Sequence, residues 1–454
     1  MSVIVLAAEG GGIIDWQELT GQSQFVIDVV SFPIFSAIAG LLTNWTGVLM
    51  MFAPTRFTGF YVPGLKTLFP FLPRKLQILP TFAPGGILGF QGFIPARAEK
   101  MASLMVDKAV SKIGSVHDFY RVLDPDAIAA HVATHGKDLF RPLVDDLISR
   151  EHPQLWRDMT PRMKEIVYSR VEAKIPEISR TAFARIGDNV DQLVDVKLLA
   201  VGHLRRHPEL LKDIFYGMGA PELRFMVRSG ILGAPMGLLL ALYLHVHDSI
   251  PIIGLIPHWL VILVAAAFIG IAVNVIAIKV VFTPGEPQPR YKYLWKHAKL
   301  AKRQPQAAAD LGHAFAYQVI TMPNVTRELV RGPRGDRTSV LIQDVLSKEV
   351  AGIMGPLSSI SRAIVGSSEF EKIQSGAGTA VLEVAPDVVQ EATFSKRQAE
   401  KIHDFCAEKL RALPPGQFMD MLYSAIEQDA WLLYAHGGIL GIVVGAAHLV
   451  IFGA

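Results

Sequence analysis

The chain has 454 residues, 51% of them hydrophobic and 19% charged, with a formal net charge of +3. Soluble proteins carry about 25% charged residues. The shortfall here sits in a few long uncharged blocks, and so small a net charge gives a nucleic-acid partner no footing. One cysteine, Cys406, excludes an intramolecular disulfide. It reads as a small apolar residue on an amphipathic helix.

In chain order, residues 1–28 form a short N-terminal segment without the basic start of a signal peptide. Residues 29–53 are the first stretch apolar enough to cross a bilayer, which takes about 20 helical residues. Residues 54–96 form a juxtamembrane element. Its apolar run Leu68 to Ile94 is broken by Pro70, Pro73, Pro80 and Pro84, loosened by Gly85, Gly86, Gly89 and Gly92, and closed by Pro95. A lipid-exposed helix does not tolerate that many unpaired backbone groups. The element is therefore expected to be interfacial or re-entrant. From Pro80 on, Gln91 is its only polar side chain apart from Thr81. It reads as a structural plug, a mouth for a lipid or small solute, or an interfacial anchor.

Residues 97–228 follow as a first helical body. Apolar residues at Val167, Val171, Ile175 and Ile178, then Ala182, Ile186, Val190 and Leu193, mark one helix stripe facing a partner. Pro176 is expected to kink it. Residues 229–248, completed by Phe225 and Met226, are the second apolar stretch, and 257–282 are the third. Residues 283–430 form a second body, helical over Val340–Ile353 and Lys396–Leu413, with loops near Gly332–Gly335 and Ser367–Gly378. Residues 431–453 are the fourth stretch. No strand pattern of useful length is evident. The expected fold is an all-α integral membrane protein with four transmembrane helices.

No Lys or Arg precedes Arg56, lies between Arg228 and Lys279, or follows Arg411. The positive-inside rule places both bodies in the cytoplasm and both termini outside. The first and third stretches align at a spacing of 230 residues: Gly40 with Gly270, Asn44 with Asn274, Phe52 with Phe282, Pro54 with Pro284. In the second and fourth, Asp213 and Tyr216 pair with Asp420 and Tyr423. After one gap, Gly230 to Gly233 pair with Gly438 to Gly441. These matches point to two parallel repeats, each enclosing an elongated helical cytoplasmic body, rather than the inverted repeats of many transporters.

Thr43-Asn44-Trp45, Met50-Met51-Phe52 with Pro54, Gly89-Phe90-Gln91-Gly92-Phe93-Ile94-Pro95 and Lys100-Met101-Ala102 resemble the membrane-protein family catalogued as domain of unknown function number 445. The resemblance covers most of the chain. It implies a bacterial-type cytoplasmic (inner) membrane protein with helical soluble regions and no established activity. The second half departs from it, keeping Asn274 and Pro284 but no Gln-Gly-x-Ile-Pro element.

Asn44 and Asn274 need polar partners inside apolar helices. They either hydrogen-bond between the two halves, at about 0.6–2 kcal/mol each, or line a polar path. Arg290, Lys292, Trp295, Lys296 and Lys299 mix cations and aromatics beside the third stretch. There each cation near anionic lipid is worth about 1 kcal/mol. The pairs His131/His135 and His203/His207 have the i, i+4 spacing of metal ligands but lack an accompanying glutamate. His245, His247, Asp248 and His258 gather around the loop after the second stretch and could bind a cation. No phosphate-cradling loop or nucleophile turn occurs. The expected function is non-enzymatic and cofactor-free: a membrane-organising or lipid-contacting scaffold, partnered by anionic lipids and by copies of itself. The rival reading is an oligomeric transporter or channel.

Overall fold

In a computed structural model, the structure describes residues 12–61, 87–151, 153–251, 253–289, 295–354, 376–378, 380–382, 385, 388–389 and 391–453. These are helical almost throughout, and four helices are long and apolar enough to cross a membrane. The chain divides into two compact units. One comprises Met1–Met105, His207–Ala307 and Leu413–Ala454, the other Val106–Arg206 and Ala308–Ala412.

The four apolar helices belong to the first unit. The first runs Gln24–Phe52, the third His258–Phe282 and the fourth Ala430–Phe452. The second is longer than residues 229–248. It is helical from Pro208 to Ser229, passes through a 3-10 turn at Gly230–Leu232 and continues over Gly233–His247. The first helix packs on the second, the third on the fourth, and the first also touches the third and fourth.

Small residues set how closely these helices cross. A Cβ added at Gly40 would sit on the Gly230 carbonyl, and one at Gly270 on the Gly437 carbonyl. Gly233 and Gly441 meet the Ser36 and Ala266 carbonyls in the same way. Backbones this close gain dispersion contacts that hold the helices together.

The crossing contacts correct one detail of the alignment. Gly230 matches Gly437 rather than Gly438, and the extra residue enters afterwards, where Gly230–Leu232 is a 3-10 turn. A 3-10 turn rises about 2.0 Å per residue and an α-helix about 1.5 Å. Three residues of one therefore cover the height of four of the other.

After the first apolar helix the chain forms a feature absent from the all-helical expectation. β1 (Thr58–Tyr61) pairs antiparallel with β2 (Ile87–Phe90), Thr58 opposite Phe90 and Gly59 opposite Gly89. With four residues a strand, the ribbon was too short for an alternating pattern to register.

The second unit is a set of amphipathic helices. The longest, Pro161–Asp188, packs against Pro125–His135 and Gly335–Met354. Its start is specified by the Thr160 side chain accepting from Met163 N, with Pro161 at the first position. The helix runs through Pro176 without a break. Helices cover the expected ranges of the second body up to Ala412, as Gly335–Met354 and Ala392–Ala412. Gly332–Arg334 is a turn in the expected place, whereas residues 376–378, at the end of the other expected loop, are helical. Cys406 is buried, and burial pushes its thiol up to about 12.

Candidate functional site: an apolar cavity and crossed polar clasps

The second unit holds a cavity of about 350 Å³. Val167, Val171, Ile175, Ile178, Ala182 and Ile186 line one side, so the stripe read from sequence faces this space as well as a partner helix. Ile128, Val132, Leu147, Ile342, Val345 and Leu346 line the rest from the neighbouring helices. The wall carries little polarity. The Tyr120 hydroxyl donates to the Phe183 carbonyl at 2.5 Å, and burial raises the phenol's pKa. Thr338 also lines the cavity; its hydroxyl is buried and has no hydrogen-bond partner.

The volume lies within the roughly 300–1,000 Å³ of small-molecule sites. An apolar occupant that covers such a wall gains about 25 cal/mol per Å² of apolar surface removed from water.

In the first unit the predicted polar residues find definite partners. Asn44 Nδ2 donates to the Met226 carbonyl at 2.5 Å and Asn274 Nδ2 to the Leu433 carbonyl at 2.6 Å. Both bonds run within a half of the sequence, which corrects the expectation of bonds between halves. The amides sit where the glycines bring each helix pair together, so the nearest acceptors belong to the adjacent helix of the same half. The side-chain bonds that do join the first and fourth helices are Ser31 to His448 at 3.0 Å and Thr46 to His436 at 2.9 Å.

The glycine-rich element and the basic-aromatic belt make corresponding contacts. Gln91 Nε2 donates to the Thr55 carbonyl, and His297 Nε2 to that of Gly285, both at 2.9 Å. Gly92 N donates to Pro54 O and Ala298 N to Pro284 O, again both at 2.9 Å. Gln288 N bonds Lys296 O at the place where Thr58 faces Phe90 in the ribbon. Helix Phe93–Ala96 then matches Lys299–Lys302. The second half thus has a counterpart of the Gln91 and Gly92 contacts, although not of the Gln-Gly-x-Ile-Pro sequence. It was hidden because His297-Ala298-Lys299 shares no letters with Gln91-Gly92-Phe93.

Gly89 lies in β2, Phe93, Ile94 and Pro95 are buried, and Pro84 and Gly85 fall outside the described residues. So do Arg290 and Lys292. Trp295 Nε1 donates to the Thr283 carbonyl at 2.8 Å, Lys296 is exposed, and Lys299 Nζ lies 4.1 Å from the Phe225 ring centre.

Sequence reasoning missed four charged residues. Arg97 pairs with Asp429, and Arg303 with Glu222 at 2.7 Å. Both acids are buried, their side chains 3% and 5% exposed. Burial pushes the Asp429 carboxyl up while Arg97 opposes the shift. Each arginine directly follows one of the two matched short helices, and each acid lies in the half opposite its arginine. The available signal was an acid at the edge of an apolar block, a costly placement without a partner.

His131 stacks on Phe394, with ring centres 3.8 Å apart, and its Nε2 faces the Val388 carbonyl. Among the described residues, His247, Asp248 and His258 are the grouping of three with metal-ligand spacing. No family model, no curated protein and no solved structure matches this chain.

Proposed function

We propose that this is a multi-pass membrane protein whose second unit takes up the acyl chain of a membrane lipid in its apolar cavity. The cavity carries this reading. It has the size of a ligand site and its wall is apolar. Each methylene transferred from water into such a wall gains about 0.8 kcal/mol. The four apolar helices support insertion into a bilayer, since Leu239, Val264, Phe268 and Ile439 are more than 60% exposed on them.

The chain reads as two parallel copies of one element, supported by the matched Asn, Gly, Gln/His and Arg contacts. The orientation that fits the Lys and Arg distribution has termini outside and bodies in the cytoplasm. A bacterial inner membrane, contact with anionic lipid through the Lys296–Lys299 region, self-association, and kinship with the resembled family complete the proposal. The role is lipid handling or membrane organisation, without catalysis. The amides of Asn44 and Asn274 are spent on backbone carbonyls, which leaves the polar-path reading without its carriers.

The test fills the cavity. Val171→Trp and Ile342→Trp are expected to reduce binding of an acyl-chain fluorophore to the purified protein, and to reduce co-purified lipid in native mass spectra. Helix content should be retained. Unchanged fluorophore binding by both well-folded variants would sink the reading.

A further inference from the structure

The loop between the second and third apolar helices brings three side chains together. His247 is the last residue of helix Gly233–His247, Asp248 follows it, and His258 opens helix His258–Phe282. Their candidate ligand atoms all lie within 4.8 Å of one another. His258 Nε2 is 3.0 Å from Asp248 Oδ1. The rings of His247 and His258 are 5.1 Å apart between centres.

His247 is fully buried, and both of its nitrogens are held. Nε2 lies 2.9 Å from the Ile256 carbonyl oxygen and Nδ1 lies 3.2 Å from the Tyr243 hydroxyl. A carbonyl only accepts, so Nε2 carries the hydrogen and Nδ1 keeps a lone pair. A cation that takes one nitrogen finds the ring already oriented through the other, as in built metal sites. Asp248, with its side chain 74% exposed, supplies an accessible carboxylate.

Backbone bonds from Ser249 N to Val246 O, Ile250 N to His247 O and Gly254 N to Ile250 O form the turns of the loop, and His247 secures its Ile256 end.

We propose that His247, Asp248 and His258 bind a divalent late first-row transition cation. Two imidazoles and one carboxylate form a borderline-soft donor set suited to zinc and its neighbours. The set is poor for magnesium or calcium, which take oxygen ligands. Three protein ligands leave a coordination position for water. In the orientation proposed above, the site faces outward.

Zinc is the probe, with the full chain in nanodiscs of neutral lipid. Calorimetric titration is expected to show one saturable ion per chain, and cobalt substitution a visible absorption band of low-coordinate geometry. Asp248→Asn and His258→Ala, both at partly exposed positions, are each expected to weaken binding about tenfold or more. His245→Ala should leave it unchanged, since His245 packs against Phe25 instead, ring centres 4.4 Å apart. Magnesium should not compete. The absence of a saturable phase in the parent, or binding that survives both substitutions, overturns the proposal.

Discussion

Asp124 has a φ of 55°, the left-handed region that a short polar side chain tolerates better than most. Its carboxylate accepts from Ala127 N at 3.2 Å, capping helix Pro125–His135, and pairs with Lys401 at 3.2 Å. The backbone bond, then Lys401, lowers its pKa below the ordinary 3.8. The folded state thus holds this proton less tightly than the unfolded chain does. The contribution is complete above the ordinary carboxylate range and is lost as pH falls through the lowered value. Asp124→Ala is expected to cost about 1 kcal/mol at neutral pH, read by chemical denaturation, and to flatten the acid limb of the stability profile. Asp124→Asn should keep most of the neutral-pH value; an equal loss in both variants would contradict the capping account. An Asp before a Pro is legible as a helix start. Its Lys401 partner is not, because nothing local in the sequence ties two residues so far apart.

At the scale of helices, the glycines and the two asparagines act together. Gly40 and Gly270 permit the close crossing, and Asn44 and Asn274 each fasten it one turn further on. Gly270→Leu is expected to force its pair apart at a cost of about 1–3 kcal/mol. Asn274→Leu should cost about 0.6–2 kcal/mol. Thermal unfolding in detergent would measure both, and a Gly270→Leu midpoint equal to that of the parent would refute the crossing geometry. The positions of these residues were legible because each interrupts an otherwise uniform apolar block. Their partners were not, since an amide in a helix can turn to any neighbour. The stripe from Val167 to Val190 was legible for the same local reason, its spacing being helical. That it borders open space could not be read, because periodicity reports which face is apolar and not what lies opposite.

Across the first unit as a whole, the ion pairs are exchanged: Arg97 reaches Asp429 and Arg303 reaches Glu222. Breaking a buried pair strands the surviving charge, at about 3–5 kcal/mol, whereas replacing both partners by apolar residues can be neutral. Asp429→Ala is therefore expected to lower the unfolding midpoint strongly, and Arg97→Met with Asp429→Leu to restore most of it. A double variant as unstable as the single would count against a paired role. The four apolar helices were legible at this scale because hydropathy is a local property. The exchange was not, because 81 residues separate Arg303 from Glu222 and far more separate Arg97 from Asp429. This crossing also has a consequence in time. When a ribosome has finished the first half, Arg97 and Glu222 already exist but their counter-charges have yet to be made. The nascent chain must keep both wet, or lend them to something else, until residues 303 and 429 emerge. The final seating of the first half therefore waits on residues 303 and 429.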